Sequence, residues 1–479
     1  MNTIRRGVLC ALMGYVTIAA SAAATAATDA DDATTLAQIR DAAMSSNWAW
    51  QRLSELTDRI GPRLSGSPQL AAAISQLAGV MRSPPAQVTL QPVKVPHWVR
   101  GDERAELVEY AGRPDGVTQH LQLTALGFSS ATPSSGLTAP VIVVHDLAEL
   151  NHRSAEVRGN IVLFEARFDR RLADNGFASV AYAQDGLYRT KGPSAAAALG
   201  AAAVLVRSVG GAEFRLPHTG GTSWKEGQAA IPAAALAAED ADLVDRLAAV
   251  GPVTLKLVLT PRTLPEVDSS NVIADWPGRE KSGEFVIVSG HLDSWDLATG
   301  ATDDGVGVIA AAAVIDILRQ LDLHPRRTIR FIGWTAEEPG AIGGKAYFAS
   351  VERTVESQTA AIESDAGAGR SLGIWAAVTK DSITALQPVP DALGPIGATV
   401  LQPIDGELGA DISWLQAAGV PGFAPLVDTR HYFDYHHTAA DTLDKVEPQD
   451  LRSQVATMAV LAYFLAELPE TLPRFKIAP

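Results

Sequence analysis

A single cysteine, Cys10, occurs in the 479 residues. It lies in an N-terminal stretch that reads as a secretory leader, so the mature chain is expected to carry no thiol. No disulfide can then form, and any metal site must be built from His, Asp and Glu. Cys10 also stands too near the start to follow a full apolar region, which argues against a lipid-anchored cysteine. Excess positive charge is lacking as well: 39 Lys and Arg face 54 Asp and Glu, a formal net charge of −15. This argues against a phosphate-binding surface, so no nucleic-acid partner is expected. Beyond the leader no run is long and apolar enough to span a bilayer. Hydrophobic residues still make up 47% of the chain, enough for large cores, and the length suggests two or three domains.

In the leader, Arg5 and Arg6 precede a mostly apolar stretch from Gly7 to about Ala20, and SAAATAA offers small-residue cleavage points. Residues 1–27 are therefore expected to be a signal peptide. A retained anchor is the weaker reading, because the apolar run is short and polar residues follow at once. An exported protein is expected, periplasmic or secreted, with no stable membrane insertion after cleavage. Losing the two arginines takes the net charge from −15 to −17.

Residues 28–60 read as helix, DRIGPRLSGSP (58–68) as a loop punctuated by Gly and Pro, and 71–80 as another helix. From about 101 to 263 short β-like runs recur: APVIVVHDL, GNIVLFEARF, AAVLVRSV and TLKLVL. KGPSAAAALGAAAVLVRS reads as a small-residue helix packed close to a strand. The block 106–264 resembles the protease-associated domain, a compact α/β module inserted in some peptidases. The plainer alternative makes it part of one large fold. From 265 onward, strand-like SNVIADW, EFVIVSG, TIRFIGW, TAAIES and VPGFAPLV alternate with helix-like runs at 306–321, 413–418 and 451–468. Such alternation predicts an α/β fold with a mostly parallel mixed sheet and helices on both faces. The expected division is one larger domain in two parts, 28–105 and 265–479, interrupted by the insert.

The chemistry-bearing residues fall at predicted strand exits. His291-x-Asp293 follows EFVIVSG. On extended backbone alternate side chains share a face, so Asp293 can approach His291 and fix its tautomer and basicity. Alone, such a pair is common. Twelve residues past His291, GATDDG places Asp303. Two adjacent aspartates repel unless something positive is near. Taken alone, a cap on the helix from Val306, by Asp303 or Asp304, is the better reading. GVGVIA matches a loose dinucleotide fingerprint, but an aspartate pair stands where a tight turn straight from a strand is required.

Glu337 and Glu338 end RTIRFIGW and precede Pro339-Gly340. Neighbouring side chains point apart, so one carboxylate can hold a metal while the other faces its water. A charged strand end is the bland alternative. Asp365, in SDAG, follows TAAIE at another exit. HHTAADT sets His436 and His437 ahead of Asp441, and His436 reads as an ordinary surface residue. Each piece is weak. Together they supply two histidines and enough carboxylates for two metals, at the strand ends where an open α/β sheet places its active site. Such sulfur-free ligands suit zinc, and cobalt or manganese would fit too.

Together HLDSWDLATGATDDG, WTAEE, ESDAG, GADISWLQ and HHTAADT resemble the di-zinc exopeptidases, a family that includes bacterial zinc aminopeptidases and glutamate carboxypeptidases. VPHWVRGDERAE and LPHTGG extend the likeness over nearly the whole mature chain. The resemblance implies two Zn2+ per chain. His291 and Asp365 would bind one zinc, Glu338 and His437 the other, with Asp303 bridging and Glu337 as general acid/base. His437 is chosen over His436 because the family's ligand lies four residues before the aspartate of an H-x-x-x-D-T pattern, here Asp441-Thr442. Asp411 and Ser413, in GADISWLQ, fall where relatives line the substrate pocket. The implied activity is hydrolysis of dipeptides or short peptides with a free N-terminus, by a homodimer. A broad aminopeptidase on longer peptides is the alternative. A non-catalytic binding protein is disfavoured by the complete ligand set. Glutaminyl cyclases share parts of the site but lack the insert and use one zinc.

Overall fold

Long apolar runs bounded by Gly and Pro become strands in the computed structural model, which describes residues 33–476. The expected leader, 1–27, lies outside the described residues. In chain order the strands are β1 (Gln87–Val99), β2 (Glu103–Glu109), β3 (Gln119–Leu121), β4 (Leu123–Ala125), β5 (Leu137–Val144), β6 (Ile161–Phe164), β7 (Ala203–Arg207) and β8 (Ala233–Leu236). They continue with β9 (Thr254–Leu259), β10 (Arg262–Trp276), β11 (Lys281–His291), β12 (Arg327–Trp334), β13 (Gln358–Glu363), β14 (Ser371–Ala377), β15 (Val400–Pro403) and β16 (Gly422–Val427).

These strands form two eight-stranded sheets. The first has the order β1-β10-β12-β11-β13-β16-β14-β15. Its centre, from β12 through β11 and β13 to β16, is parallel, while β1, β10 and β14 add antiparallel pairs. Helices cover both faces, so the central strands are apolar throughout rather than alternating; all six residues of β13 are buried. Ile329 and Phe331 of β12 face a core shared with the helices Val306–Gln320 and Pro448–Glu467. Ile332 and Trp334 face the opposite core, with Tyr347 and Leu415. The helix Val306–Gln320 is buried on all sides from Val306 to Leu318, which explains its lack of a polar stripe.

The second sheet has the order β3-β2-β9-β5-β6-β7-β8-β4 and uses only residues 103–259. The boundary expected at 105/106 therefore falls inside β2, and that at 264/265 inside β10. β1 was not legible as a strand, because Pro92 and Pro96 interrupt it. Proline removes a ladder donor, and β1 tolerates two because it lies at the sheet edge. The second sheet leans on the first through aromatic and ionic contacts. Trp295, in the loop after β11, meets Phe128, just past β4, at 6.5 Å between ring centroids. Arg100 Nε donates to Asp296 Oδ2 at 2.9 Å.

Candidate active site

Parallel register brings the carboxyl ends of three strands to one edge. His291 of β11 pairs with Trp334 of β12, and Ser289 pairs with Glu363 of β13. His291, the Glu337–Glu338 pair and Asp365 leave the sheet there. The aspartate pair divides its labour. Asp304 accepts the His291 backbone N–H at 2.9 Å and the Gly307 N–H at 3.1 Å, so it anchors the helix start. Asp303 is left to face the cleft. A side chain at Gly307 would place its Cβ 2.0 Å from the Ser364 carbonyl oxygen, so this approach requires glycine. Asp441 accepts from Thr302 N at 2.6 Å, Thr302 Oγ1 at 2.8 Å and Asp303 N at 3.2 Å, holding the Asp303 segment. Ala336 and His437 have φ of 55° and 58°, left-handed conformations uncommon outside glycine. They turn the chain just before Glu337 and at His437 itself.

The cleft side chains form two groups that share one residue. His291 Nε2 lies 3.2 Å from Asp303 Oδ1 and 3.6 Å from Asp365 Oδ1. His437 Nε2 lies 3.0 Å from Asp303 Oδ2 and 3.2 Å from Glu338 Oε2. Both groups have ligand atoms close enough to enclose a metal ion, as does a third, made of His218, His436 and His437, which shares His437 with them. Asp303 Oδ2 and Glu338 Oε1 are buried without a hydrogen-bond partner. A buried carboxylate oxygen in that state needs a cation. The protons tell the same story. Burial pushes the carboxyls of Glu337, Glu338 and Asp365 up. Burial alone would lower His437, yet Glu338 and Asp303 raise it to about 9. Asp303 is held well below the usual carboxylate range despite burial, by His436, His291 and His437. Protons thus stand in for positive charge that metal ions would otherwise supply.

Above these groups opens a cleft of about 370 Å³. Residues of both sheets wall it, including Phe128, Tyr182, Arg189, Tyr432 and Phe433. Arg189 is the one Lys or Arg in that wall. Its Nη1 lies 3.0 Å from His437 Nδ1 and donates to the Thr219 carbonyl at 3.2 Å, while its buried Nε has no partner. Gly220 makes room for it: a Cβ there would lie 1.2 Å from Nη1.

Several expectations need correction. Asp293 does not orient His291 through its carboxylate, which stands 3.8 Å from Nδ1. The Asp293 backbone carbonyl takes that place at 3.1 Å. The chain turns after His291, so the carboxylate instead accepts the backbone N–H groups of Glu337 at 3.0 Å and Glu338 at 3.3 Å. His436 is not a surface residue: it is buried, stacked on His437 at 3.7 Å, with Nε2 3.3 Å from Asp303 Oδ2. Asp411 and Ser413 do not line the cleft. Asp411 is buried and accepts the Gly344 N–H at 2.9 Å, and Ser413 Oγ donates to the Ala410 carbonyl.

Sequence reasoning missed Arg63, Arg189 and His218. Arg63 is fully buried and donates to the carbonyls of Leu292, Thr299 and Gly300, pinning the loop after His291. Its only signal was the GPR turn. His218 and Arg189 lie in or beside the LPHTGG and KGPSAAAA segments, where no chemistry was visible.

The fold and the site define a hydrolase class for which relatives are known. The sequence model of peptidase family M28 matches residues 271–462. Over 432 residues the chain is 34% identical to carboxypeptidase Q of Homo sapiens, covering 90% of this chain and 88% of that one. The chain belongs to peptidase family M28. The crystal structure of a peptidase M28 precursor from Shewanella amazonensis SB2B is 35% identical, with a TM-score of 0.87 over 93% of this chain and 99% of its own. A zinc aminopeptidase from Bacillus subtilis shares the fold at 19% identity, with a TM-score of 0.63 over 90% of this chain and 97% of its own.

Proposed function

We propose that this family member is a di-zinc exopeptidase that hydrolyses dipeptides, or short peptides with a free N-terminus. The observation that carries the reading is the pair of His/carboxylate groups joined at Asp303, with a buried arginine beside one of them. His291 and Asp365 would hold one ion, Glu338 and His437 the other, and Asp303 both. The donor set has no sulfur and suits zinc. When bound, two such ions supply Lewis acidity toward a peptide carbonyl and lower the pKa of water toward about 7.

The chain's own residues do the rest. Glu337 takes the proton of the attacking water and returns it to the departing amine. Burial pushes its carboxyl up, above the usual carboxylate range. Asp293 fixes the Glu337–Glu338 backbone, and Asp441 fixes that of Asp303. Arg189 receives the substrate's terminal carboxylate. Phe128, Tyr182 and Phe433 exclude water around the side chains.

On this reading the leader is removed on export to the periplasm or medium, the second sheet is a protease-associated-like insert, and the chain works as a homodimer. Free dipeptides compared with their C-terminal amides, with zinc content measured in parallel, test the activity. Two zincs per chain and faster cleavage of the free acids are expected. Equal cleavage of both forms, or of long peptides, supports the broad aminopeptidase alternative instead.

A further inference from the structure

Phe128 stands in a backbone conformation that its side chain disfavours. The turn past β4 is closed by the Ser129 N–H on the Leu126 carbonyl at 3.2 Å, which puts Phe128 third, with φ of 66°. Glycine or asparagine is usual at a turn position of that hand, and an aromatic residue there is an outlier. Its surroundings hold it. Trp224 Nε1 donates to the Phe128 carbonyl at 2.9 Å, and Trp98 Nε1 to the Ser129 carbonyl at 3.2 Å. The rings of Trp98 and Trp295 each stand 6.5 Å from that of Phe128 between centroids. Gly127 lets Trp295 in, since a Cβ there would lie 2.1 Å from the indole. Strain of this kind persists only where the surrounding structure over-determines it, and it clusters at ligand clamps.

The turn presents a partly buried ring to the cleft. Two neighbours in that wall offer a substrate side chain no polar partner. Gly221, whose Cβ position lies 3.9 Å from Phe128 Cε2, has no side chain, and Thr222 Oγ1 donates to the Gly127 carbonyl at 2.8 Å. The same segment ties the ring to Arg189. Gly127 N donates to the Gly220 carbonyl at 2.9 Å and Thr222 N to the Gly127 carbonyl at 3.1 Å. Gly220 is also the residue that makes room for the guanidinium. Aromatic wall and cation are thus fixed to one stretch, 220–222. A residue whose carboxylate sits on Arg189 carries its side chain on the adjacent Cα, so that side chain is the one brought to the ring.

We propose that Phe128 is the specificity-determining residue for the C-terminal side chain of a dipeptide substrate, selecting large apolar side chains over small or neutral polar ones. The assignment rests on the dipeptidase reading and on Arg189 receiving the carboxylate. An apolar side chain laid on the ring leaves water for apolar contact. A polar one would lose hydration there with no partner from Gly221 or Thr222. The turn and the indoles fix the ring before substrate arrives, so binding spends little on ordering it.

The test is kcat/KM for the zinc-loaded full chain on two dipeptide series. One holds an N-terminal alanine and varies the second residue through alanine, glutamine and leucine; the other varies the first residue in the same way. Wild type is compared with Phe128→Gly and Phe128→Asn. Both replacements suit a positive φ, so the turn stays while the ring goes, and either variant carries the test if the other does not fold. A single methylene in an apolar pocket discriminates by about 10–200-fold, so wild type should favour C-terminal leucine over alanine by at least about tenfold. Both variants should lose most of that ratio, with the N-terminal ratio unmoved. A C-terminal ratio that survives in the variants overturns the assignment. So does a loss confined to the N-terminal series, which would place the ring at the other side chain. An equal fall on every substrate overturns it as well, because Phe128 would then only support the turn. Wild type cleaving C-terminal amides as fast as free acids sinks the carboxylate reading itself, and the C-terminal assignment with it; that result is read without the variants.

Discussion

Arg189→Met removes the cation from the cleft while keeping an unbranched side chain of similar length. In the wild type the guanidinium is buried, its Nε has no partner, and the carboxylates of Asp303, Glu337, Glu338 and Asp365 share its wall. Hydrogen bonds involving a charged group contribute about 1.5–3 kcal/mol, and a fully desolvated charge pair more. We take about 3 kcal/mol for a substrate carboxylate on Arg189; at 1.36 kcal/mol per tenfold this is about 150-fold in kcat/KM. A C-terminal amide offers only a neutral acceptor, worth about 1 kcal/mol or about fivefold. Wild type should then prefer the free dipeptide by about thirtyfold, and Arg189→Met should abolish most of that preference. Steady-state kinetics on one dipeptide and its amide, with zinc content as control, gives the full cycle. Equal losses on both substrates would refute the carboxylate assignment. Arg189 would then act through His437, whose Nδ1 lies 3.0 Å from its Nη1.

Glu337→Gln should keep both metals and lose about 10²–10⁴ in kcat, and turnover within tenfold of wild type would rule out the base assignment. Asp303→Asn should lower occupancy at both sites, because its two oxygens face His291 and His437 separately; loss of one ion alone would argue against bridging. Chelator-stripped protein should lose stability as pH rises from 7 to 9. Glu363, pushed up to about 8 chiefly by burial, and His437, raised to about 9, hold protons in the folded chain that the unfolded chain has already released. Folding then binds protons, so its stability falls as they leave. The gap in Tm between loaded and stripped protein should widen across that range, and a gap that narrows would contradict these proton assignments.

Much of the catalytic half was legible because burial writes itself into the sequence there. β11, β12 and β13 are covered on both faces, so they appear as near-continuous apolar runs. The polar residue ending each run is then conspicuous, and His291, Glu337, Glu338 and Asp365 were all found that way. What stayed hidden depended on geometry between distant segments. Asp303 and Asp304 are neighbours with the same chemistry, and their roles separate only once the N–H groups of His291 and Gly307 are in place. His436 looked exposed because the rings that bury it, Tyr182 and His218, belong to the other sheet. Arg189 stands 248 residues before the histidine it touches, and nothing in its own neighbourhood announces a site.

The misreading of His436 and the silence on Arg189 have one cause. The catalytic sheet supplies nearly all the carboxylates at the cleft, and its one buried arginine nearby, Arg63, is spent on backbone carbonyls behind the loop. A substrate with a free carboxylate needs a cation that this sheet does not present, and the second sheet presents it at Arg189. The same second sheet packs Tyr182 and His218 against His436, which lies beside Asp303. Its contribution to the site is therefore chemical as well as steric. Deleting it would not merely open the cleft to solvent. It would remove the positive charge beside His437 and the rings of Tyr182 and His218 that bury His436, leaving a carboxylate cluster with less to hold it in place.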